Sequence, residues 1–349
     1  MGRILVTGGA GFIGSHTCLN MLEAGYEIIS LDSYVNSSKN VFNAIKKICH
    51  LRGINHDLIK NIECDIRDKK IIEEIFKKSK DEKKEIQGVI HFAGLKSVKE
   101  SEFFPQEYWD VNFGGTLNLL KVMNKFSCRK IVFSSSATIY GDPEKLPIYE
   151  DCEIKPINPY GKTKATVEQL LLDIYNSDPG RWNVINLRYF NPVGAHSTGL
   201  IGEDPKGIPN NLFPYICKVA FGKMENLRIF GNDWPTKDGT GVRDYIHIED
   251  LAEGHKKAIE LIFREIGSYK CINLGSGKGT SVLEMIETFQ KVNNCKIKRI
   301  FEPRRVGDVA STYADINLAK KVLGWIPKKS LFDICKDGWK WSEMNPNGY

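Results

Sequence analysis

The residues of this chain best suited to chemistry are a tyrosine and a lysine four positions apart, Tyr160 and Lys164. Asn158 is a favourable helix N-cap and Pro159 suits the first helical position, so we predict a helix that places both side chains on one face. A phenol titrates at about pH 10, and an adjacent ammonium lowers that pKa by favouring the phenolate. The pair could therefore act as a general base, with the Ser136 hydroxyl sharing the proton or orienting a substrate.

The same spacing is also common on exposed helices, so the elements around the pair must decide between the two interpretations. The chain opens with a short apolar run at residues 4–6, followed by glycines at positions 8, 9, 11 and 14. A second strand-like run at residues 26–31 ends at Asp32. This order predicts a βαβ unit that binds a dinucleotide, with the pyrophosphate at the helix N-terminus.

Asp32 also predicts which dinucleotide binds. A carboxylate at the end of the second strand can accept hydrogen bonds from the ribose hydroxyls of the adenosine. The same carboxylate would repel the 2′-phosphate of NADP, and the following residue is Ser33 rather than an arginine. The expected cofactor is therefore NAD.

Strand-like and helix-like segments continue to alternate through the first half of the chain. This pattern predicts an α/β protein with a Rossmann-type, doubly wound parallel sheet. Small or polar residues follow the strands near residues 65, 93 and 134, where a cofactor would cross the carboxyl ends. We expect His91, which lies within one of these strands, to be a packed residue without a metal or catalytic role.

The second half of the chain has shorter elements after a loop rich in glycine, proline and asparagine. We predict an NAD-binding Rossmann domain at 1–190 and a smaller C-terminal α/β substrate lobe at 191–349, with some later segments returning to the first domain. Helices are expected near 212–222, 249–264, 282–293, 315–323 and 331–341, and Trp325, Trp339 and Trp341 are expected to pack the lobe. Arg243 and Arg305, with Asp308 nearby, are candidates for a phosphate and ribose site.

Composition restricts the class of protein. The 349 residues carry a formal charge of +6 dispersed among interleaved lysines and acids, which does not predict a nucleic-acid patch. The nine cysteines form no C-x-x-C pair, so we expect reduced thiols in a cytoplasmic protein and no metal site. No apolar run approaches the roughly 20 residues that span a bilayer.

Taken together, the glycine motif, Tyr160-x-x-x-Lys164 and the upstream serine resemble the extended short-chain dehydrogenase/reductase family. Within it, the chain is most similar to the UDP-glucose 4-epimerases. The segments that carry this closer resemblance span almost the whole chain and are residues 6–17, 90–96, 133–141, 187–196, 207–212 and 238–247.

The resemblance implies roles for individual residues. Tyr160 would be the proton acceptor and donor, Lys164 would tune it and bind the nicotinamide ribose, and Ser136 would contact the 4-hydroxyl of the sugar. The residues implied to line NAD, besides these three, are Gly8, Gly11, Phe12, Ile13, Gly14, Asp32, Asn36, Ser37, Asp65, Ile66, Phe92, Ala93, Gly94, Lys96, Asn112 and Phe190. Those implied to hold a UDP-sugar, with Ser136 and Tyr160, are Lys96, Asn191, Asn211, Leu212, Arg228, Ile229, Phe230, Arg243, Tyr245, Arg305, Asp308 and Thr312.

The implied reaction interconverts UDP-glucose and UDP-galactose through a transient 4-keto sugar, and the family implies a homodimer. Nucleotide-sugar 4,6-dehydratases and UDP-glucuronate decarboxylases resemble the same fold but place an acid just after the serine. Here the residues that follow Ser136 are Ala137, Thr138 and Ile139, which favours epimerisation. A non-catalytic NAD-binding regulator is a further alternative, although such proteins lose the Tyr–Lys pair.

Thr312 bears on the substrate range. Some bacterial epimerases carry a tyrosine that narrows the hexose site where this sequence has Thr312, and a small side chain leaves room for an N-acetyl group. This substitution predicts that UDP-N-acetylhexosamines are also accepted. The alternative is that Tyr313 or another side chain refills the space.

Overall fold

In the part of the chain that the structure describes, the strands form one large sheet and three small ones. The computed structural model describes residues 2–206, 211–305 and 307–349. Within those residues the strands are β1 (Arg3–Thr7), β2 (Glu27–Asp32), β3 (Ile59–Glu63), β4 (Ile86–His91), β5 (Lys130–Ser136), β6 (Asn183–Tyr189), β7 (Asn191–Val193), β8 (Leu227–Phe230), β9 (Val242–Arg243), β10 (Tyr245–His247), β11 (Ser268–Leu274), β12 (Thr280–Ser281), β13 (Arg299–Glu302) and β14 (Ser311–Thr312).

Helices connect most of these strands. They are α1 (Phe12–Glu23), α2 (Val41–Arg52), α3 (Lys69–Asp81), α4 (Val98–Phe103), α5 (Pro105–Tyr108), α6 (Gly115–Lys125), α7 (Pro159–Ser177), α8 (Leu212–Ala220), α9 (Ile248–Arg264), α10 (Val282–Asn293), α11 (Asn317–Leu323) and α12 (Leu331–Met344). Short 3-10 turns occupy His56–Leu58 and Ala137–Tyr140, and a π-helical turn occupies Trp109–Gly114. Among the described residues, no helix is both long enough and apolar enough to cross a bilayer.

The large sheet has the strand order β11-β6-β5-β4-β1-β2-β3. β1 pairs in parallel with both β2 and β4, β2 with β3, and β4 with β5. The order reverses direction at β1, as in doubly wound dinucleotide-binding sheets. All five residues of β1 are buried, as expected for a strand covered on both faces. The predicted Rossmann-type sheet is confirmed.

The chain divides into two compact units. The larger comprises residues 1–141, 154–188 and 252–272, and the smaller comprises 142–153, 189–251 and 273–349. Each has its own apolar core, formed in the first by side chains such as Leu5, Ile131 and Val184, and in the second by Phe213, Phe289 and Ile334. The predicted division at residue 190 between a cofactor domain and a substrate domain concerns function and stays a prediction.

Two glycines explain the geometry of the first βαβ unit. Gly8 has φ +70°, and a Cβ there would lie 2.8 Å from the backbone nitrogen of Ala93. A Cβ on Gly14 would lie only 2.1 Å from the carbonyl oxygen of Gly8. Glycine therefore lets α1 approach the turn after β1 closely, with β4 alongside.

The helices predicted for the second half of the chain are also confirmed. The five expected helices correspond to α8, α9, α10, α11 and α12, with ends that differ by a few residues. Trp325 and Trp341 are buried, and Trp339 packs partly buried against the core of the smaller unit. Six of the nine cysteines are buried, and all nine are free thiols.

Candidate active site

Helix α7 begins as the sequence predicts. The Asn158 side chain accepts a hydrogen bond of 2.8 Å from the backbone N–H of Gly161, and Pro159 occupies the first helical position. This cap satisfies one of the donors that a helix start leaves unpaired. Tyr160 and Lys164 follow one turn apart, next to the end of β5.

Lys164 is buried, with only 5% of its surface exposed. Its Nζ donates to the backbone carbonyl of Ser134 at 2.7 Å and lies 4.9 Å from the centre of the Phe133 ring. The same nitrogen is 5.9 Å from the centre of the Tyr160 ring. The last residues of β5 therefore direct the lysine toward the tyrosine, a contact that the spacing alone could not specify.

Ser136 connects β5 to the tyrosine. Its side chain is hydrogen-bonded to Tyr160, and its Oγ accepts from the Thr138 backbone N–H at 3.2 Å and the Thr138 hydroxyl at 3.0 Å. Because Thr138 donates both bonds, the Ser136 hydroxyl keeps its own proton available for the hydrogen bond to Tyr160. Sequence reasoning assigned Ser136 but missed Thr138, although a threonine two residues after a serine at a strand end is a common turn pattern.

The predicted lowering of the Tyr160 pKa by Lys164 is wrong for this structure. Burial raises the pKa of Tyr160 above the ordinary value, and the hydrogen bond from Ser136 is what lowers it in part. Burial also lowers the pKa of Lys164 to about 8, against the charge of Glu168, which raises it. Lys164 donates its hydrogen bond to the Ser134 carbonyl and not to the phenol, and it does not offset the desolvation of the phenol.

The start of α1 fits the pyrophosphate of a dinucleotide. Its N-cap is Gly11, which offers no side-chain acceptor to the first N–H groups of the helix, those of Phe12, Ile13 and Gly14. A Cβ on Gly11 would approach only the Gly8 carbonyl oxygen, at 3.3 Å. Unpaired N–H groups at the positive end of a helix form an anion site that a glycine leaves accessible.

Asp32 lies at the end of β2 with an ordered carboxylate. One oxygen accepts from the Tyr34 backbone N–H at 2.9 Å and the Ser37 hydroxyl at 2.8 Å, and the other accepts from the Ala10 backbone N–H at 2.9 Å. Asp32 is thus fixed beside the glycine turn, where a ribose would follow the pyrophosphate. This placement suits NAD.

Asn36 is exposed on the loop after β2. Asp65, after β3, forms a forked ion pair with Arg67, whose Nε and Nη2 donate at 3.0 and 2.7 Å. The neighbouring Ile66 is buried against Gly115, so its side chain belongs to the core.

The turn after β4 is held by two polar side chains. Thr7 bonds His91 at 2.6 Å and accepts from the Ala93 backbone N–H at 3.3 Å. His91 also bonds Thr116 at 2.8 Å, and burial lowers its pKa to about 3. His91 is therefore a neutral packed residue, as predicted. Phe92 packs its ring 4.7 Å from that of His255.

Asn112 ties this turn to the catalytic helix. Its Oδ1 accepts from the Leu95 N–H at 2.7 Å, and its Nδ2 donates to the Leu95 carbonyl at 3.0 Å and to the Thr163 hydroxyl at 3.1 Å. The side chain lies so close to Gly94 that a Cβ there would be 2.9 Å from Oδ1. Lys96, two residues further on, is exposed.

In the smaller unit, Arg243 and Thr312 are register partners on the parallel strands β9 and β14. Arg243 donates through Nη1 to the carbonyls of Val242 and Val309 at 2.8 and 2.9 Å. Tyr313 follows Thr312, and its ring lies 3.1 Å from where a Cβ of Gly279 would be. Tyr313 lies just beyond the two residues of β14, and its ring packs toward Gly279.

A second group in the smaller unit surrounds Phe230. The Arg305 guanidinium lies 4.4 Å from the centre of the Phe230 ring and donates through Nε to Asp308 at 3.0 Å. Arg228, two residues before Phe230 on β8, is exposed on the same strand face, whereas Ile229 points into the core. An aromatic ring can pack against a nucleotide base, arginines can bind phosphates, and an acid can accept hydrogen bonds from ribose hydroxyls.

The remaining predicted residues also lie in described parts of the smaller unit. Phe190 is buried, and Asn191 begins β7 beside β10, which carries the buried Tyr245. Asn211 is the N-cap residue of α8 and donates to Glu203 at 2.9 Å, and Leu212 is the first residue of that helix. The rest of the motif at residues 207–210 lies outside the described residues.

A charged cluster that sequence reasoning missed lies elsewhere in the smaller unit. Ligand atoms of His247, Glu249 and Asp337 lie within 4.8 Å of one another. Lys329 Nζ lies 2.9 Å from Glu249 and 3.4 Å from Asp337. The lysine supplies the cation that these two carboxylates need, so we assign the cluster a structural role.

A Rossmann-type sheet with a Tyr-x-x-x-Lys helix beside the end of its fifth strand defines the short-chain dehydrogenase/reductase class. A family model described as GDP-mannose 4,6 dehydratase matches residues 5–338. The UDP-glucose 4-epimerase of Bacillus subtilis is 51% identical over 346 residues, covering 99% of this chain and 98% of that protein. The chain belongs to the UDP-glucose 4-epimerase family.

Two solved structures extend the comparison. A Bifidobacterium longum UDP-glucose 4-epimerase in complex with NAD+ and UDP has a TM-score of 0.92 and 46% identity, covering 99% of this chain and 100% of that one. A UDP-Glc/GlcNAc 4-epimerase of Campylobacter jejuni has a TM-score of 0.82 and 32% identity, covering 99% and 100%.

The matching family model is described as a dehydratase, but the residues after Ser136 do not include the acid that dehydration would need. Dehydration requires proton transfer at carbon 5 in addition to redox at carbon 4. The 3-10 turn Ala137–Tyr140 carries no carboxylate, and the hydroxyl of Tyr140 accepts a hydrogen bond of 2.9 Å from Arg188. Epimerisation needs no such group.

Proposed function

We propose that this chain is an NAD-dependent isomerase that interconverts UDP-glucose and UDP-galactose by inverting carbon 4 of the hexose. The observation that carries the proposal is the hydrogen-bonded Ser136–Tyr160 pair with buried Lys164 at the end of β5. These groups can exchange a proton with one hydroxyl. Membership of the epimerase family, whose close relatives are UDP-glucose 4-epimerases, supports the substrate.

NAD supplies a reversible hydride acceptor for carbon 4 when it is bound. The glycine turn with the start of α1 would hold its pyrophosphate, and Asp32 its adenosine ribose, as the geometry of both sites suits. The other implied NAD residues keep the roles given by the family resemblance. Lys164 would bind the nicotinamide ribose from its buried position beside Tyr160.

The proton transfers fall to the side chains of α7 and β5. Tyr160 removes the proton of the 4-hydroxyl, and Ser136 holds that hydroxyl and stabilises the phenolate through the hydrogen bond already present. The 4-keto sugar then turns over, and Tyr160 returns the proton to the oxygen on the opposite face. A loosely held hexose is required for this rotation, since tight ground-state binding would oppose it.

The protein would therefore recognise its substrate mainly through contacts to the UDP group. Arg243 and Arg305 are proposed to bind the pyrophosphate, and Asp308 a ribose hydroxyl. Phe230, with Arg228 on the same face, is proposed to pack against the base. The side chain of Ile229 is in the core, so only its backbone would contact the nucleotide.

We further propose that UDP-N-acetylhexosamines are substrates. Thr312 is small, and Tyr313 packs toward Gly279, so neither narrows the space in front of Thr312. The Campylobacter jejuni structure with this fold, described as a UDP-Glc/GlcNAc 4-epimerase, supports the proposal.

We propose that the chain is a cytoplasmic homodimer. Large apolar side chains are exposed at the end of α4, between α4 and α5, and on the π-helical turn, namely Phe103, Phe104 and Trp109. Adjacent exposed aromatics are typical of a surface that another copy covers.

A Phe104→Glu variant should elute as a monomer in light-scattering chromatography while an exposed control, Phe332→Glu on α12, stays dimeric. A monomeric wild-type protein would contradict the proposal.

The deciding experiment is an assay of the purified protein without added NAD. The protein is incubated separately with UDP-galactose and UDP-N-acetylgalactosamine, and products are identified by chromatography and mass spectrometry. We expect both 4-epimers, together with NAD released on denaturation. Absence of UDP-glucose with NAD present would contradict epimerisation, whereas loss of a water from the sugar would favour the dehydratase alternative.

A further inference from the structure

The loop between β8 and β9 carries a tryptophan that the proposed function does not use. Trp234 lies four residues after Phe230, and its indole Nε1 donates to the Phe230 carbonyl at 3.3 Å. Gly231 lies between them with φ +87°, and a Cβ there would be only 2.3 Å from Nε1. Glycine therefore lets the loop fold back so that the indole lies against the end of β8.

The side chain of Arg304 covers this indole. The guanidinium carbon lies 4.1 Å from the centre of the Trp234 ring, which is a cation–π contact. Nε donates to the Asp233 carboxylate at 2.8 Å, and Nη2 donates to the Asp233 carbonyl. A stacked ring and two hydrogen bonds together hold the planar guanidinium in one orientation, although 39% of the side chain is exposed.

The next residue, Arg305, repeats the stack on a second ring. Its guanidinium lies 4.4 Å from the centre of the Phe230 ring. The backbone ladder of β8 and β13 ends where Phe230 pairs with Glu302, so side chains join the two segments beyond that point. Because Trp234 is bonded to the Phe230 carbonyl and Arg304 precedes Arg305, the first stack connects the segments directly beside the second.

The loop that carries Trp234 is itself braced. The Trp234 N–H donates to the Gly239 carbonyl at 3.0 Å. One oxygen of Asp238 accepts from the Thr240 N–H at 2.9 Å and its hydroxyl at 2.7 Å, and the other accepts from the hydroxyl of Ser281, the N-cap residue of α10. The indole is therefore held in place by the protein alone, before any nucleotide binds.

We propose that Trp234 and Arg304 are positioning residues that hold Arg305 against the Phe230 ring in the orientation that binds UDP. An exposed arginine that must be ordered on binding loses part of its binding free energy as side-chain entropy, and an existing brace reduces that loss. Neither positioning residue touches the nucleotide in this role. The role rests on the proposed function, which assigns Arg305 to the pyrophosphate.

The test measures the affinity of the purified enzyme, with its bound NAD, for UDP by isothermal titration calorimetry. Trp234→Ala and Arg304→Ala should each raise the UDP Kd about three- to tenfold, because Arg305 loses its brace. KM for UDP-galactose should rise by a similar factor while kcat changes by less than about twofold, since binding and not proton transfer is affected. Arg299→Ala, which removes an exposed arginine of β13, is the charge-matched control and should keep the wild-type Kd.

A double-mutant cycle distinguishes positioning from a general loss of packing. Arg305→Ala should raise the UDP Kd more than either variant, because it removes the phosphate contact itself. Adding Trp234→Ala or Arg304→Ala to Arg305→Ala should then change the Kd by less than about twofold, because no Arg305 side chain remains to be positioned. Trp234→Phe keeps an aromatic ring for Arg304 and should retain most of the affinity.

An unchanged UDP Kd in Trp234→Ala and Arg304→Ala would overturn the proposal, as would a full further loss when either is combined with Arg305→Ala. Arg304 lies on the surface, so Arg304→Ala decides the matter even if Trp234→Ala does not fold. Normal UDP binding by Arg305→Ala would contradict the role proposed for Arg305 and this proposal with it. A wild-type enzyme that shows these effects on UDP binding but does not convert UDP-galactose would contradict the proposed function alone.

Discussion

At the scale of single residues, the environment of Tyr160 differs from what its spacing to Lys164 suggests. Burial raises the pKa of the phenol, and Ser136 supplies the hydrogen bond that opposes this. The nicotinamide ribose is expected to contact Lys164, and the positive ring of NAD+ would add a charge that favours the phenolate. Binding of NAD+ would therefore favour the phenolate form of Tyr160, in which it can act as a base.

Replacing Tyr160 with phenylalanine tests this role most directly. We expect turnover of UDP-galactose to fall by about 10²–10⁴-fold, the usual contribution of a general acid–base group, with bound NAD retained. Initial rates and the NAD content of the purified variant are the measurements. Tyr175→Phe, on the same helix, should keep wild-type turnover, and equal rates for both variants would refute the assignment.

Thr312 gives a second prediction at this scale. In Thr312→Tyr, the ring would occupy the space in front of β14, so conversion of UDP-N-acetylglucosamine should fall at least about tenfold relative to UDP-galactose. Steady-state kcat/KM for both substrates measures the ratio. Thr312→Ser keeps a small side chain and should leave the ratio unchanged; an unchanged ratio in Thr312→Tyr would place the specificity elsewhere.

At the scale of elements, α7 does two things at once. Its N-cap fixes where the helix starts, and therefore where Tyr160 lies relative to Ser136. Its buried face then packs Lys164 and Glu168 against the strand ends. The catalytic pair thus depends on the start of the helix as well as on the two side chains.

Loss of that cap should be measurable. Asn158→Ala should lower the free energy of unfolding by about 1 kcal/mol, because the Gly161 N–H loses its partner. Urea denaturation followed by circular dichroism gives the value. Asn158→Ser retains a capping oxygen and should lose less. Equal stability of the wild type and the alanine variant would mean that the cap contributes nothing.

At the scale of the whole molecule, acid stability should depend on Glu249. Hydrogen bonds from the Ser197 N–H and Lys329, together with the nearby His196 and His247, lower its pKa to about 2, although burial opposes this. A carboxyl with a lowered folded-state pKa stabilises the fold above its ordinary pKa. That contribution declines as the pH falls from the ordinary value of 4.5 toward 2.

The corresponding variant is Glu249→Gln. At neutral pH it should be less stable than the wild type by about 1 to 3 kcal/mol, and the difference should shrink as the pH falls below the ordinary carboxyl pKa. Urea midpoints measured between neutral pH and pH 3 give the comparison. Glu260→Gln, on the same helix, serves as control. A difference that does not change with pH would contradict the linkage.

The sequence determined the architecture and the identity of the reactive groups. The glycine turn, the acid at the end of β2, the Asn-Pro start of α7 and the alternation of strands and helices are local patterns, and local conformational preferences fix them. The structure confirms the sheet, the helices of the smaller unit and the packed role of His91. The roles of the individual site residues remain predictions for experiment.

Tertiary structure determined the surroundings of the reactive groups, and with them their burial and pKa values. The sequence shows Tyr160 and Lys164 four residues apart, but their pKa values depend on burial by β4 and β5, which lie far away along the chain. The same holds for Glu168 and Arg188, which nothing in the sequence pairs, and for Tyr313, whose ring packs toward Gly279. Electrostatics and packing depend on distance in space, so only the folded chain determines them.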